Sequence, residues 1–342
     1  MQEILNLIQS GTPLHKDQMI ACMEGIMSGE WSEAQIAAFL MGLSMRGENV
    51  DEIIGAATVM RNKAASISAP AAAVDCCGTG GDHSGSYNIS TAVALVVAAC
   101  GIPVAKHGNR SASSKSGAAD VLEALGVNLD ITREQTESAL ERFNFAFLMA
   151  PNHHKAMKFV VPVRKAMGVR TIFNLLGPLA NPAGTQFQLI GVYDKKWVRP
   201  MAETLQSLGT KAAWVVHGAD GMDEITTTDE TYAACLQDGK IEERVLTPED
   251  FGISRSSSED LQGGTPSENA KALSDLLNGV PSAYRDIVLV NSAAVLKIAG
   301  QENGLDVKSL PDAVDIAAKA IDSGKALDIL QAYAAFTQGS IN

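Results

Sequence analysis

The pattern of apolar and polar positions changes once along the chain. Up to about residue 65 it carries a helical period only. Ser32 and Gln35 have capping-box spacing, and Ile36, Phe39, Leu40 and Leu43 follow at i, i+3, i+4 and i+7, one stripe on one helix face. Thr12 and Gly47 read as a start and a stop of helical stretches. Such short helices cannot cover both their sides, so part of this surface is expected to meet another element or another subunit.

From about residue 73 strands alternate with helices. Residues 73–77, 103–105, 145–149, 188–192, 213–216 and 232–236 read as strands. Helices are expected over 91–99 (ended by Gly101), 121–125, from Thr132 with its Gln135 cap, and near 196–208, 267–279, 284–299, 310–322 and 325–336. That rhythm predicts a mainly parallel sheet covered on both faces. Residues 162–182 interrupt it with Gly and Pro and are expected to return the chain to the helical part. Residues 254–264, rich in Ser and Gly, read as a flexible surface loop. No internal repeat is found.

Composition narrows the choices. With 342 residues, 46% hydrophobic and only 5% aromatic, the chain has length for one large domain or two ordinary ones, and favours packed helices over an all-β sandwich. A net charge of −12 argues against nucleic acid but leaves room for a small anionic substrate where positive charge is gathered locally. Five cysteines (Cys22, Cys76, Cys77, Cys100, Cys235) without framework spacing read as reduced thiols of a cytosolic protein. No membrane span and no signal peptide are expected.

Four features carry candidate chemistry. The loop Gly78-Thr79-Gly80-Gly81-Asp82 follows a strand and precedes a helix, where backbone N–H groups and the helix N-terminus suit an anion; the alternative is a tight turn with ordinary caps. It is neither a Walker loop nor a dinucleotide fingerprint. Asn88, Ser90 and Thr91 at the helix start could cap it or face a ligand. Residues 106–115 collect Lys106, His107, Arg110 and Lys115 among Asn109, Ser111, Ser113 and Ser114 with no acid, either a phosphate cradle at a strand end or a solvated basic loop. Asp223 and Glu224 offer hard oxygens suited to Mg²⁺, or are merely adjacent surface acids. Arg164 and Arg170 offer a carboxylate fork or a structural ion pair. His153-His154 reads as a polar loop after a strand, and no zinc motif is present.

Seven segments in order (78–82, 88–91, 106–110, 116–120, 149–151, 164–182 and 217–224), over most of the chain, resemble the anthranilate phosphoribosyltransferases of tryptophan biosynthesis. The resemblance implies the nucleoside-phosphorylase-type α/β fold: a small all-helical domain (1–70, joined by part of 162–185) and a large α/β domain (71–342) with a mainly parallel sheet. It implies a homodimer joined through the helical domain, which the cysteine usage places in the cytoplasm, and Mg²⁺-dependent transfer of phosphoribose from 5-phosphoribosyl 1-pyrophosphate to the amine of anthranilate.

Residue by residue, it implies that Gly78, Gly81, Asp82, Ser86, Asn88, Ile89, Ser90, Thr91, Lys106, His107, Gly108, Asn109, Arg110, Ser111, Ala112, Ser113, Ser114 and Ala118 line the donor site. Ser90, Asp223 and Glu224 would hold magnesium; Gly78, His107, Asn109, Pro151, His154 and Arg164 would meet anthranilate. Lys106 and Arg164 would act by electrostatics and positioning, with no obligatory general base, and His107 is a candidate to take the proton afterwards. Ser86, Tyr87 and Lys155 depart from the residues frequent in the family. The rivals are a pyrimidine nucleoside phosphorylase and a non-catalytic relative that binds nucleic acid. Arg164 speaks against both; the 106–110 run disfavours the first, and the acidic balance the second.

Overall fold

Residues 2–111 and 115–340 are described by a computed structural model. Four helices come first: α1 (Gln2–Gln9), α2 (Lys16–Ser28), α3 (Glu33–Arg46) and α4 (Val50–Lys63). The Ser32 capping box starts α3 as expected, with Ser32 N donating to Gln35 Oε1 (2.9 Å), and Gly47 ends it. Thr12 is not a helix start. The chain runs on to His15, which caps α2, and the Thr12 carbonyl instead accepts from Arg46 (2.7 Å).

The α/β part follows: β1 (Val74–Gly78), α5 (Ile89–Ala99), β2 (Val104–Gly108), α6 (Ala118–Ala124), α7 (Arg133–Phe143), β3 (Phe145–Met149), α8 (Ala150–His153), α9 (Val161–Met167), α10 (Phe173–Leu179), β4 (Phe187–Gly191), α11 (Val198–Ser207), β5 (Ala212–Gly218), β6 (Thr231–Gln237), β7 (Lys240–Leu246), α12 (Pro266–Leu277), α13 (Ala283–Ala299), α14 (Leu310–Asp322) and α15 (Lys325–Thr337). The strands form one sheet in the order β3-β2-β1-β4-β5-β6-β7. β1 to β5 run parallel, and β6 and β7 are antiparallel. β7 has no counterpart in the sequence reading. Its KIEERVL run is mostly exposed at the sheet edge and lacks an apolar face that would announce a strand.

Alternation along the central strands divides the core in two. Phe187, Leu189, Trp214 and Val216 face one side and pack with α5, α7 and α12 to α15. Ile190, Val192, Val215 and Leu236 face the other and pack with α11 and, beyond it, α1 to α4. The Gly/Pro-rich stretch folds as α9 and α10. Val163, Ile172, Phe173, Leu175 and Leu176 join the same cluster as Ile26, Phe39 and Leu40. Residues 254–264 are not a free surface loop: Leu261 is buried and Gln262 bridges to Ser86.

The strand order places the site. β1, β2 and β3 step outward in one direction, and β4 then starts the other half beside β1. The crevice at the carboxyl ends of β1 and β4 is a topological switch point, where open α/β sheets bind ligands.

Candidate active site

Gly78 and Gly191 end β1 and β4 in register. The turn after β5 folds back over both: a Cβ on Gly191 would overlap the Asp223 backbone carbonyl, and one on Gly78 the Asp223 carboxylate. Glycine at these two strand ends lets the acidic turn sink between them. Gly80 N then donates to Asp223 Oδ2 (2.7 Å), so the glycine loop and the acidic turn are one structure. Gly80 and Gly81 take left-handed φ values of +68° and +73°.

Several expected ligand residues fasten this end of the sheet. Asn88 does not cap α5 with its side chain. Its Nδ2 donates to the Ser116 carbonyl (3.2 Å), and its Oδ1 accepts from Asn269 (2.8 Å). Ile89 and Thr91 are buried in the first turn of α5. Ser86 accepts from Ser84 Oγ (3.1 Å) beside Gln262. Ser90 and Asp82 are partly exposed; Asp82 lies beside Asp223, and the Ser90 backbone hydrogen-bonds Glu224.

The basic run is corrected most. Lys106 and His107 lie in β2 and are buried, not in an exposed loop. Lys106 Nζ donates to the Cys76 carbonyl (2.8 Å) and to Ser90 Oγ (3.1 Å), and its charge opposes the raised pKa values of Asp75 and Glu224. Arg110 is held by α6, with Nη1 on Asp120 (3.1 Å) and Nη2 on Glu123 (2.6 Å), so its charge is compensated. The sequence shows no acid in this run because the acids arrive from the next helix, and strand alternation turns Lys106 inward. Gly108 packs against Phe147 and Ala118, Ser111 N donates to Asp120 (3.2 Å), and Asn109 is exposed. Ala112, Ser113 and Ser114 lie outside the described residues.

Asp223 and Glu224 are sunk in the crevice with Asp82 beside them. Burial first, then the Asp82 charge, pushes the Asp223 carboxyl up to about 7. Burial and the adjacent Asp223 hold Glu224 well above the usual range. Crowded carboxylates whose ionisation is disfavoured fit a divalent cation. Among the described residues no group of three or more His, Cys, Asp or Glu side chains is arranged to hold an ion unaided. A cation here would draw on water and substrate oxygens, as Mg²⁺ does.

Arg164 is half-buried, over the Phe173 ring (5.7 Å) and donating to Asn174 Oδ1 (3.4 Å). Burial alone lowers its pKa, and among the described residues it makes no ion pair. His107 and His154 are buried with ring centroids 5.2 Å apart, and His107 Nδ1 lies 3.2 Å from the Gly177 carbonyl. Burial pushes His107 down to about 3, with the neighbouring His154 second. Its imidazole is neutral near pH 7, the charged form being disfavoured by burial. Pro151 is exposed at the start of α8.

The sequence reading missed Asp75, Asn181 and Tyr193. Asp75 is fully buried and accepts from Asn181 Nδ2 (2.8 Å) and His107 N (3.2 Å). Asn181 also donates to the Ala105 carbonyl (2.8 Å), tying β1 and β2 to the chain after α10. The signal for Asp75 was available: one acid inside an apolar strand must be satisfied. A separate cavity of about 560 Å³ lies beside β3, lined by Ile67, Ile131, Thr136, Phe147 and His153. It includes none of the strand-end glycines or acids.

Comparison with known proteins agrees with this geometry. Residues 70–327 match the glycosyl transferase family a/b domain, and residues 2–64 the helical bundle domain of the same family. The chain is 52% identical to an anthranilate phosphoribosyltransferase of Parvibaculum lavamentivorans, over 99% of this chain and 98% of that protein. The crystal structure of the anthranilate phosphoribosyltransferase TrpD from Thermus thermophilus superposes with a TM-score of 0.91 at 41% identity, covering 98% of this chain and 99% of that one. The Saccharomyces cerevisiae enzyme, solved in complex with PRPP and Mg, shares the fold (TM-score 0.83, 24% identity, 95% of this chain and 92% of that one). A doubly covered sheet, a switch-point crevice and a match along nearly the whole chain lead to one conclusion: the chain belongs to the anthranilate phosphoribosyltransferases.

Proposed function

We propose that the crevice between β1 and β4 is where this enzyme moves the 5-phosphoribosyl group from 5-phosphoribosyl 1-pyrophosphate to the amine of anthranilate, releasing pyrophosphate in tryptophan biosynthesis. The observation that carries the assignment is the junction of glycine loop and acidic turn, Gly80 N to Asp223 Oδ2 at 2.7 Å. It brings backbone donors for an anion and carboxylates for a cation to one strand-end row.

In this reading the pyrophosphate lies against Gly78 to Asp82 and the start of α5. Asp223, Glu224 and Ser90 hold Mg²⁺, which supplies positive charge for the pyrophosphate oxygens when bound. Lys106, committed to Cys76 and Ser90, contributes its charge from beneath β1 and keeps the ligand residues in place. Arg164 and Asn109 orient the acceptor by its carboxylate, and Pro151, His107 and His154 wall its ring. Bond breaking at C1 builds oxocarbenium character, so catalysis is chiefly electrostatic and positional. An aryl amine is unprotonated at neutral pH and needs no base to activate it; the depressed His107 accords with that.

Residues 1–70 with part of 162–185 serve as the smaller unit against 71–342, and closure between them excludes water from the donor. The exposed Met41 and Met45 on α3 support a homodimer through the helical unit. The five free thiols suit the cytoplasm, and among the described residues no helix is long and apolar enough to cross a membrane. Incubation with donor and anthranilate, followed by loss of anthranilate fluorescence with and without Mg²⁺, tests the assignment. Phosphorolysis of a pyrimidine nucleoside in its place would overturn it.

A further inference from the structure

We propose that Arg170 is a positioning residue that lets the helical layer set the shape of the glycine loop, and through it the affinity for the phosphoribosyl donor. The inference rests on the crevice reading above. Arg170 stands in the short link between α9 and α10, both of which pack into the helical-side core. Its backbone carbonyl accepts from Ser44 Oγ of α3 (3.0 Å). Its side chain crosses to the opposite wall, where Nη2 donates to the Gly81 carbonyl and the guanidinium carbon sits 4.4 Å from the centroid of the Tyr193 ring.

Tyr193 fixes the other end of the same loop. Its N–H donates to Thr79 Oγ1 (3.0 Å), Thr79 N donates to the Gly191 carbonyl (2.9 Å), and its hydroxyl accepts from Trp197 Nε1 (3.0 Å). The turn is therefore gripped at Thr79 by Tyr193 and at Gly81 by Arg170, with the arginine lying on the tyrosine ring. Between the two grips Gly80 and Gly81 keep the left-handed backbone that presents Gly80 N to Asp223. Two glycines confer little stiffness of their own, so the grips define the loop. A planar fork suits this double duty, one donor on a carbonyl and one face on a ring; an ammonium supplies only the charge. Because the backbone of Arg170 is anchored on α3, any shift of the helical layer is passed to Gly81.

The test uses Arg170→Ala, Arg170→Lys and Ser44→Ala in the full-length enzyme. Donor affinity is measured by calorimetric titration of 5-phosphoribosyl 1-pyrophosphate with Mg²⁺, and both KM values by steady-state kinetics. Arg170→Ala is expected to weaken donor binding about tenfold or more while the anthranilate KM stays within about twofold. Arg170→Lys recovers only part of the loss, and Ser44→Ala weakens donor binding in the same direction with the acceptor KM unmoved. A merely structural role would lower thermal stability without this split. Donor affinity within about twofold of wild type in Arg170→Ala, or a loss confined to the anthranilate KM, overturns the proposal. Asp223→Asn separates the two readings. If it weakens the donor and Arg170→Ala does not, only this proposal falls; if neither weakens it, the crevice assignment falls as well.

Discussion

Gly191 lies so close beneath Asp223 that one added methyl group on its α-carbon would occupy the place of the Asp223 carbonyl. Backbone, not a flexible side-chain tip, is what must yield. Gly191→Ala is therefore expected to lower stability by about 1–3 kcal/mol and to lift the acidic turn away from Gly80. Urea midpoints read the first effect and the donor KM the second. A variant unchanged in both would show that the turn need not sit between β1 and β4.

Arg164 is half-buried without an ion pair among the described residues, an arrangement that costs desolvation unless a ligand supplies the anion. Arg164→Ala should raise the anthranilate KM by roughly 10- to 100-fold, the worth of a charged hydrogen bond, while donor binding is kept. Unchanged anthranilate kinetics would remove its role as the carboxylate fork.

Asp223 and Glu224 repel each other and Asp82 in a buried crevice. Asp223→Asn combined with Glu224→Gln should relieve that repulsion, leaving stability equal or higher, yet raise the Mg²⁺ concentration needed for half-maximal turnover by about tenfold or more. A magnesium titration decides it, and full activity of the double variant at low Mg²⁺ would reject the metal assignment.

His107 and His154 give the fold a pH dependence with a definite sign. Burial holds them at about 3 and about 4, while an unfolded histidine titrates near 6.5. Below about pH 6.5 the unfolded chain binds protons the folded one refuses. Their contribution is complete above that pH and lost on acidification, by up to about 1.4 kcal/mol per pH unit for each ring. Asp223, raised to about 7, works in the opposite sense, so the comparison must be made with His107→Gln and His154→Gln. Urea midpoints at pH 7.5 and 5.0, as set conditions, should fall less in these variants than in wild type; equal slopes would mean the rings are not held neutral.

What could be read from the chain divides by physical type. Local rules located α3 from its Ser32 box, the glycine loop from its spacing, and the parallel core from its alternation. Partners far apart in sequence could not be read. The acids of α6 neutralise Arg110, Asn181 reaches Asp75 across 106 positions, and Lys106 turns inward beneath β1. β7 was silent because an exposed edge strand has no apolar face to betray it. Gly191 falls inside the stretch 188–192 that reads as a strand, and nothing local shows that the distant turn carrying Asp223 packs upon it. The seven-segment resemblance supplied what periodicity could not: the reaction and the pairing of donor with acceptor.

The most direct measurement is a crystal structure of the enzyme with 5-phosphoribosyl 1-pyrophosphate and Mg²⁺. The pyrophosphate is expected on the Gly78–Gly81 backbone, the ion on Asp223 and Glu224, and the ribose C1 turned toward Arg164. A donor bound elsewhere, for instance in the cavity beside β3 lined by Ile131 and His153, would contradict that placement.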